Sequence, residues 1–279
     1  MDIRHAVHYR QAESFDGHDL REHFLIEQVF ATGAIRATYS HYDRMLVLGI
    51  QPGDGPLMPG EELARTVGAE FLLERRELGA INVGTGTARV RADNEELIVA
   101  PREAVYLGMG VRDLVFENID PANPARLYAN SCPAHAGHPN RVVREEDASP
   151  QPMGSLETSN QRVIYKYLHP GVLPTCQLVM GLTRLAPGSV WNTMPAHTHD
   201  RRMESYFYFE LAPDAMVVHL MGRPEATRHL IVRNDQAVLS PPWSIHSGAG
   251  TGAYAFIWAM AGDNQSFADM DFVPMQELA

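Results

Sequence analysis

The stretch His197-Thr-His199-Asp-Arg-Arg-Met-Glu204-Ser-Tyr206 contains two imidazoles and a carboxylate within eight positions. In an extended strand alternate side chains share a face, so His197 and His199 point the same way, as two ligands of one ion must. The polar run before Glu204 can turn the chain, and the residues after it alternate as a second strand. The stretch therefore predicts three donors that converge from two neighbouring strands.

A fourth candidate donor lies further along the chain. His246 follows Pro241-Pro-Trp-Ser-Ile and precedes Ser247-Gly248, a strand entry that can turn a side chain inward. Imidazoles with one carboxylate suit zinc, manganese, iron or nickel rather than calcium or magnesium. The alternative is a solvated turn that carries histidines by chance, since the chain has 13 of them. The alternation and the carboxylate favour a metal site. Its predicted ligands are His197, His199, Glu204 and His246.

Composition limits the other possibilities. With 279 residues, 45% of them hydrophobic, the chain can bury one large core or two ordinary ones. A net charge of -11 argues against a nucleic-acid partner. The start of the chain lacks the apolar segment of a secretory signal, and no apolar run is long enough to span a bilayer, so we expect a soluble, cytoplasmic protein without a membrane partner. The two cysteines, Cys132 and Cys176, are predicted to be buried free thiols.

The rest of the chain reads as many short strands separated by Gly, Pro and Asp-Asn turns, which predicts a mainly β barrel or sandwich. Helical patterns are confined to residues 20–30, with Asp19 as a possible cap, and residues 59–69. Between Asp120 and Pro152 the composition shifts to Pro, Ala, Asn and His, which predicts a linker rather than core.

The two halves of the sequence also match each other. Residues 71–78 align without a gap on residues 197–204, and residues 100–108 align on 240–248. This match predicts a duplicated β-domain, with a metal-free copy in residues 1–150, including the linker from about 120, and a metal-binding copy in residues 151–279. Opposite the four predicted ligands the first copy has Phe71, Leu73, Leu78 and Tyr106. Hydrophobic residues at three of these positions should pack the interior of the first barrel.

Pro187-Gly188, His197-x-His199-x4-Glu204 and Pro241-x-Trp243-x2-His246 resemble the two cupin motifs, whose three His and one Glu bind a divalent metal inside a double-stranded β-helix, or jelly-roll, barrel. Here Trp243 replaces the usual Gly, and the second motif stands further from the first than in minimal cupins. Over nearly its whole length the chain also resembles the 5-keto-4-deoxyuronate isomerases of pectin breakdown. The stretches that carry this resemblance are 39–44, 71–79, 191–204 and 240–248.

The resemblance implies two tandem cupin barrels with one zinc ion per subunit, held by the four predicted ligands, although manganese, iron and nickel stay open. It also implies a cytoplasmic homohexamer. The implied reaction converts 5-dehydro-4-deoxy-D-glucuronate to 3-deoxy-D-glycero-2,5-hexodiulosonate, a ketol isomerisation. Two alternatives remain: a cupin dioxygenase that uses a redox metal, because the same donors bind iron or copper, and a non-catalytic sugar-acid sensor.

The isomerisation needs an electrophile for the carbonyl, an acid/base group and a cation for the substrate carboxylate. A divalent ion would supply the first. The acid/base candidates are Glu204, Tyr206 and His229. Four residues are candidates for binding the substrate. Three of them are cations, which pair with carboxylates: Lys166, Arg202 and Arg228. The fourth is Tyr208. Tyr206 and Tyr208 could instead be interior packing, and Arg202 could be structural, since Arg76 repeats it in the first copy.

Overall fold

The structure is a computed structural model that describes residues 1–279. It is dominated by two seven-stranded sheets whose central strands follow the same order. The strands of the first half are β1 Asp2–Arg4, β2 Leu25–Ile26, β3 Ala34–Ser40, β4 Leu46–Gln51, β5 Arg76–Asn82, β6 Ala88–Ala92, β7 Glu95–Val99, β8 Ala104–Leu107, β9 Leu114–Asn118, β10 Leu127–Pro133 and β11 Arg141–Val143. Those of the second half are β12 Gln151–Met153, β13 Arg162–Leu168, β14 Val179–Leu185, β15 Trp191–Asn192, β16 His197–Thr198, β17 Arg202–Phe209, β18 Val217–Arg223, β19 Ala226–Val232, β20 Gln236–Ser240, β21 Ser247–Gly250, β22 Ala255–Gly262 and β23 Asp271–Phe272.

Helices are short and few. They are α1 Tyr9–Ala12, α2 Gly17–Phe24, α3 Glu61–Thr66 and a final 3-10 turn Met275–Glu277. Helix α2 begins after Asp16, whose carboxylate accepts from the backbone of Asp19 while the Asp19 side chain accepts from Asp16 N–H. Asp16 is therefore the cap, not Asp19. None of these helices has the length and apolar character needed to cross a bilayer.

The two large sheets repeat one order in their five central strands, whereas their edges differ: β1 runs parallel to β3, but β12 runs antiparallel to β13. The first large sheet has the order β1-β3-β4-β10-β5-β8-β11, and the second has β12-β13-β14-β22-β17-β20-β2. Each faces a smaller sheet, β7-β6-β9 in the first half and β15-β21-β18-β19 in the second. Strand β5 thus occupies in the first barrel the place that β17 occupies in the second. The prediction of a mainly β fold with few short helices is confirmed, and the repeated order agrees with a duplicated domain.

Side chains along each central strand point alternately into the barrel interior and toward the contact between the two barrels. Leu78 and Ala80 of β5 belong to a core of 20 buried apolar residues inside the first barrel. In β17 the intervening positions Ser205 and Phe207 face the other half, where Tyr128 stacks on Phe207 with ring centroids 4.4 Å apart. The two large sheets therefore pack against each other through their outer faces.

A buried carboxylate joins the two halves. Glu77 of β5 accepts hydrogen bonds of 2.7–2.8 Å from the backbone N–H groups of Cys176, Gln177 and Leu178, and one of 2.8 Å from the Tyr106 hydroxyl. Since a carboxylate this deep needs several donors, the contact anchors the segment that leads into β14 against the first sheet. Cys132 is buried and Cys176 half-buried, and both are free thiols.

The predicted linker is wrong. Strand β10, Leu127–Pro133, lies in the middle of the first sheet between β4 and β5, and six of its seven residues are buried. Its sequence has no β-branched residue and is flanked by prolines, so residue composition does not predict a strand there. The start of the chain also departs from the predicted division, because β2 pairs with β20 in the second sheet.

Candidate metal centre

The four predicted ligands meet inside the second barrel. His197 is on β16, His199 follows it, Glu204 is on β17, and His246 immediately precedes β21. All four side chains are buried, and one donor atom from each lies within 4.8 Å of the others. The group could hold a metal ion.

The distances between donor atoms describe a compact set. Glu204 Oε2 lies 3.0 Å from His199 Nε2 and 3.1 Å from His246 Nε2, and the Nε2 atoms of His246 and His197 are 3.0 Å apart. His199 Nδ1–H donates to the carbonyl of Arg202 over 3.1 Å, which directs the Nε2 lone pair to the centre. Three imidazole nitrogens and one carboxylate oxygen match the preferences of zinc and similar divalent ions.

Two of the imidazoles are held neutral. Burial, followed by the neighbouring His199 and Arg202, lowers the pKa of His197 to about 3. Burial also lowers the pKa of His246 well below its usual value. Both rings are therefore neutral at pH 7, the form in which imidazole binds metals.

Two tyrosines of β17 continue the interior face beyond Glu204. The Tyr206 hydroxyl lies beside Thr193 and the Glu204 carboxylate, and burial raises its pKa well above the usual value. Tyr208 Oη lies 2.7 Å from His219 Nδ1. Tyr206 is thus next to the ligand group, whereas Tyr208 lies one row deeper.

His219 is the interior residue that the sequence analysis missed. It is fully buried on β18, on the same face as Val217 and Met221. A signal was available: in Val217-Val-His-Leu-Met221 the histidine alternates with apolar residues and therefore shares their buried face.

Two predicted residues of β19 differ in where they point. His229 pairs opposite Leu220 on β18 and is exposed, whereas its neighbour Leu230 pairs opposite His219 and is buried. Because alternate residues face opposite ways, His229 points outward and is not a catalytic candidate. Arg228 pairs opposite Met221 and donates to the carbonyls of Glu13 and Thr227, and its role as a substrate ligand stays a prediction.

The remaining cations differ in what they already bind. The guanidinium of Arg202 donates to the carbonyls of Ser266 and Asp269, at 2.6 and 3.2 Å, and is fully buried. Arg76 makes the same kind of contacts in the first barrel, at 2.7 Å to the carbonyls of Arg44 and Ser131. Both guanidinium groups therefore bind backbone carbonyls in the same way, which indicates a structural role.

Lys166 is the only lysine in the chain and makes no salt bridge. Strand register puts it in one row with Gly181, Trp258 and Tyr206, on the interior face of the second sheet. Its Nζ lies 5.0 Å from the centroid of the Phe267 ring. A surface groove of about 1000 Å³ beside β3 contains none of the predicted site residues.

In the first barrel the aligned positions carry no donors inside. Leu73 and Leu78 are buried in the apolar core, and Phe71 is half-buried at the surface. Tyr106 pairs opposite Gly79 and faces the contact between the two halves, where it donates to Glu77 of its own sheet. Its alignment with His246 therefore does not hold in three dimensions, because Tyr106 lies on an outer face.

Solved structures show the same architecture. The chain matches an IolB-like protein from Salmonella typhimurium LT2 with a TM-score of 0.73 at 17% identity, covering 90% of this chain and 96% of that one. It matches an oxalate decarboxylase from Lactobacillus farciminis with a TM-score of 0.59 at 11% identity, covering 87% of each chain. At these identities the likeness shows the fold alone, which is cupin-like as predicted.

Sequence comparison is more specific. Proteins from Dickeya dadantii and Burkholderia cenocepacia, each named 4-deoxy-L-threo-5-hexosulose-uronate ketol-isomerase, are 51% and 52% identical over 278 residues, covering 100% of each chain. The model of the KduI/IolB family matches residues 56–275. The predicted resemblance is therefore confirmed, and the chain belongs to the KduI/IolB family.

Proposed function

We propose that this protein is a metal-dependent ketol isomerase that converts 5-dehydro-4-deoxy-D-glucuronate to 3-deoxy-D-glycero-2,5-hexodiulosonate in the breakdown of pectin. The observation that carries the proposal is the buried group of three imidazoles and one carboxylate, with a protonated tyrosine beside it. The names of full-length relatives at 51–52% identity support the reaction. Zinc is the proposed ion, held by His197, His199, Glu204 and His246.

The reaction turns an aldehyde at C1 and a hydroxyl at C2 into a hydroxyl at C1 and a ketone at C2. A divalent ion bound to the four ligands would supply a Lewis acid for a carbonyl oxygen. The carbon-bound proton leaves C2 and a proton arrives at C1, while the hydroxyl proton passes from the C2 oxygen to the C1 oxygen. No atom is gained or lost, so a single group can take the carbon-bound proton and return it.

Glu204 and Tyr206 are the proposed acid/base pair. The carboxylate of Glu204 can accept the C2 proton and return it to C1. The Tyr206 hydroxyl beside it stays protonated, because burial raises its pKa, and can donate to a substrate oxygen. For the substrate carboxylate we propose Lys166, the one interior cation of the predicted set that has neither a carboxylate nor a carbonyl partner.

The proposed assembly is a cytoplasmic homohexamer, as in the family that the sequence resembles. Exposed apolar side chains such as Met58 and Phe272, which are 64% and 65% exposed, offer surface for contacts between subunits. Light scattering should give about six times the chain mass of 31.0 kDa. A monomer at micromolar concentration would contradict the assembly.

The test of the reaction compares zinc-loaded wild type with His246→Ala under nitrogen. We expect the wild type to form the diketone, and the variant, which loses one ligand, to form almost none. Turnover without oxygen separates isomerisation from oxygenation. Binding of the keto acid without product would instead indicate a sensor. Failure of the loaded wild type to form any diketone would refute the proposal.

A further inference from the structure

His219 has a ring nitrogen with no partner inside the metal-binding barrel. The side chain is fully buried, Nδ1 is engaged with Tyr208, and Nε2 has no hydrogen-bond partner. A buried polar atom without a partner destabilises the folded state, so such atoms are rare in proteins and call for an explanation. A substrate that fills the interior would provide the missing partner.

Strand register locates His219 beside the ligand group. It pairs opposite Gly248 on β21, two positions after His246. The Tyr206 ring packs against both imidazoles, with its centroid 5.6 Å from that of His219 and 5.3 Å from that of His246. Gly248 adds no side chain between them, and a Cβ there would come within 2.9–3.1 Å of Asn192 Nδ2 and the hydroxyls of Tyr254 and Tyr208. The His219 ring therefore borders the same interior space as the ligands.

The hydrogen bonds behind the ring decide which nitrogen carries its proton. The Asn192 amide nitrogen donates to the hydroxyl of Tyr254 over 2.7 Å, and it lies on the Tyr208 side of the ring, where it lowers the pKa of that hydroxyl. An amide nitrogen can only donate, so the Tyr208 proton cannot go to Asn192, and His219 Nδ1 is the hydrogen-bond partner left to accept it. The proton of the neutral ring then resides on Nε2. Burial lowers the pKa of His219 to about 3, so the ring is neutral at physiological pH.

We propose that His219 Nε2–H donates a hydrogen bond to an oxygen of the substrate's C1–C2 pair, and that Asn192 and Tyr208 hold the ring in the tautomer that can do so. The role rests on the proposed isomerase function. As the C2 proton leaves, negative charge develops on the two oxygens, and a fixed neutral donor stabilises that charge without transferring its own proton. His219 is thus a catalytic residue, whereas Tyr208 and Asn192 are positioning residues.

The test uses three variants of the metal-loaded enzyme. His219→Leu removes the donor at similar volume, His219→Gln restores a donor at the end of the side chain, and His229→Leu changes an exposed histidine on the paired strand as a matched control. We expect His219→Leu to keep its metal but lower kcat about 100- to 1,000-fold, as the loss of one oxyanion donor does. KM should stay within about threefold. His219→Gln should recover at least about tenfold of the loss, and His229→Leu should stay within about twofold of wild type.

A second measurement does not depend on activity. Nitrogen NMR of histidine-labelled, metal-loaded wild type should show the proton of His219 on Nε2, and Tyr208→Phe should shift it toward Nδ1. A proton on Nδ1 in the wild type would overturn the proposal, as would a His219→Leu variant with wild-type kcat or equal activity of the Leu and Gln variants. An inactive loaded wild type would overturn the isomerase function and this role together, whereas an active wild type beside an unimpaired His219→Leu would overturn only the role.

Discussion

The two barrels share a strand order but differ in what they enclose. The first holds a core of 20 apolar residues, while every buried histidine of the chain lies in the second half. At equivalent places on β5 and β17 stand Leu78 and Glu204. An apolar interior is therefore sufficient for this barrel architecture, which does not require the polar donors that the second barrel encloses.

What the barrels have in common is equally informative. Arg76 and Arg202 begin equivalent strands, and each guanidinium donates to two backbone carbonyls. A feature that persists without the metal belongs to the architecture. Residues that differ, such as Leu73 against His199, are the ones to which the chemistry is assigned. Four experiments test whether the shared residues are structural and the differing ones functional.

The largest effect should follow from removing a ligand. His199→Ala should weaken zinc binding at least about 1,000-fold, beyond the 10- to 100-fold expected for outer-shell changes, because it removes a direct donor. Leu73→Ala, at the aligned position of the first barrel, should leave zinc binding unchanged. Metal analysis after dialysis measures both. One zinc ion per chain retained by His199→Ala would show that His199 is not a metal ligand.

The converse experiment cuts the apolar core. Leu78→Ala should lower the free energy of unfolding by about 3 kcal/mol, because the cavity adds to the lost burial. Zinc content should not change. Urea unfolding measures the loss, and Leu156→Ala, at a side chain that is 57% exposed, serves as control with an expected change within about 0.5 kcal/mol. Loss of zinc in Leu78→Ala would show that the barrels are not separable in function.

The shared arginines should behave alike. Arg76→Met and Arg202→Met should each cost about 1.5–3 kcal/mol, because each change removes a buried charged donor from two backbone carbonyls. Chemical denaturation of the two variants side by side checks this. If Arg202→Met were as stable as wild type but lost kcat, the arginine would belong to the chemistry after all.

Acid should act on the second barrel. His197 and His219 have pKa values of about 3 in the folded chain, against about 6.5 unfolded. Between these values the unfolded state binds more protons, so the stability of the metal-free protein should rise with pH across this window and fall as pH drops from about 6.5 toward 3, by up to about 1.4 kcal/mol per pH unit for each histidine. Thermal unfolding from pH 7 to 5 measures it. His219→Leu should flatten the dependence, and an unchanged midpoint would contradict it.

Much of the fold was readable because strand alternation and the internal repeat are local signals. The four ligands were predictable because three lie within eight positions and the fourth stands in a recognisable strand entry. Strand β10 escaped because prolines flank a segment of Leu, Tyr, Ala, Asn, Ser and Cys, and its burial depends on two partners far away in sequence. Composition cannot report such pairing.

The errors in the site have a similar cause. His229 and His219 both stand in alternating strands, and only the register between β18 and β19 decides which faces inward. The sequence gives no partner for Arg228, but in the structure one of its guanidinium nitrogens donates to the backbone carbonyl of Glu13, which is 215 residues away. The repeat misaligned Tyr106 with His246 because similar flanking residues sit on a strand in one copy and in a loop in the other.

Strand β2 gives the molecule an order of assembly. Leu25 pairs with Val238, which leaves the ribosome about 210 residues later, or roughly 10–40 s at ordinary rates of synthesis. The second sheet cannot add β2 at its edge until β20 has been made, near the end of synthesis. Strand β2 therefore stays without its partner strand for most of that time. A gene cut between the two barrels would therefore yield a C-terminal fragment that lacks one edge of its sheet.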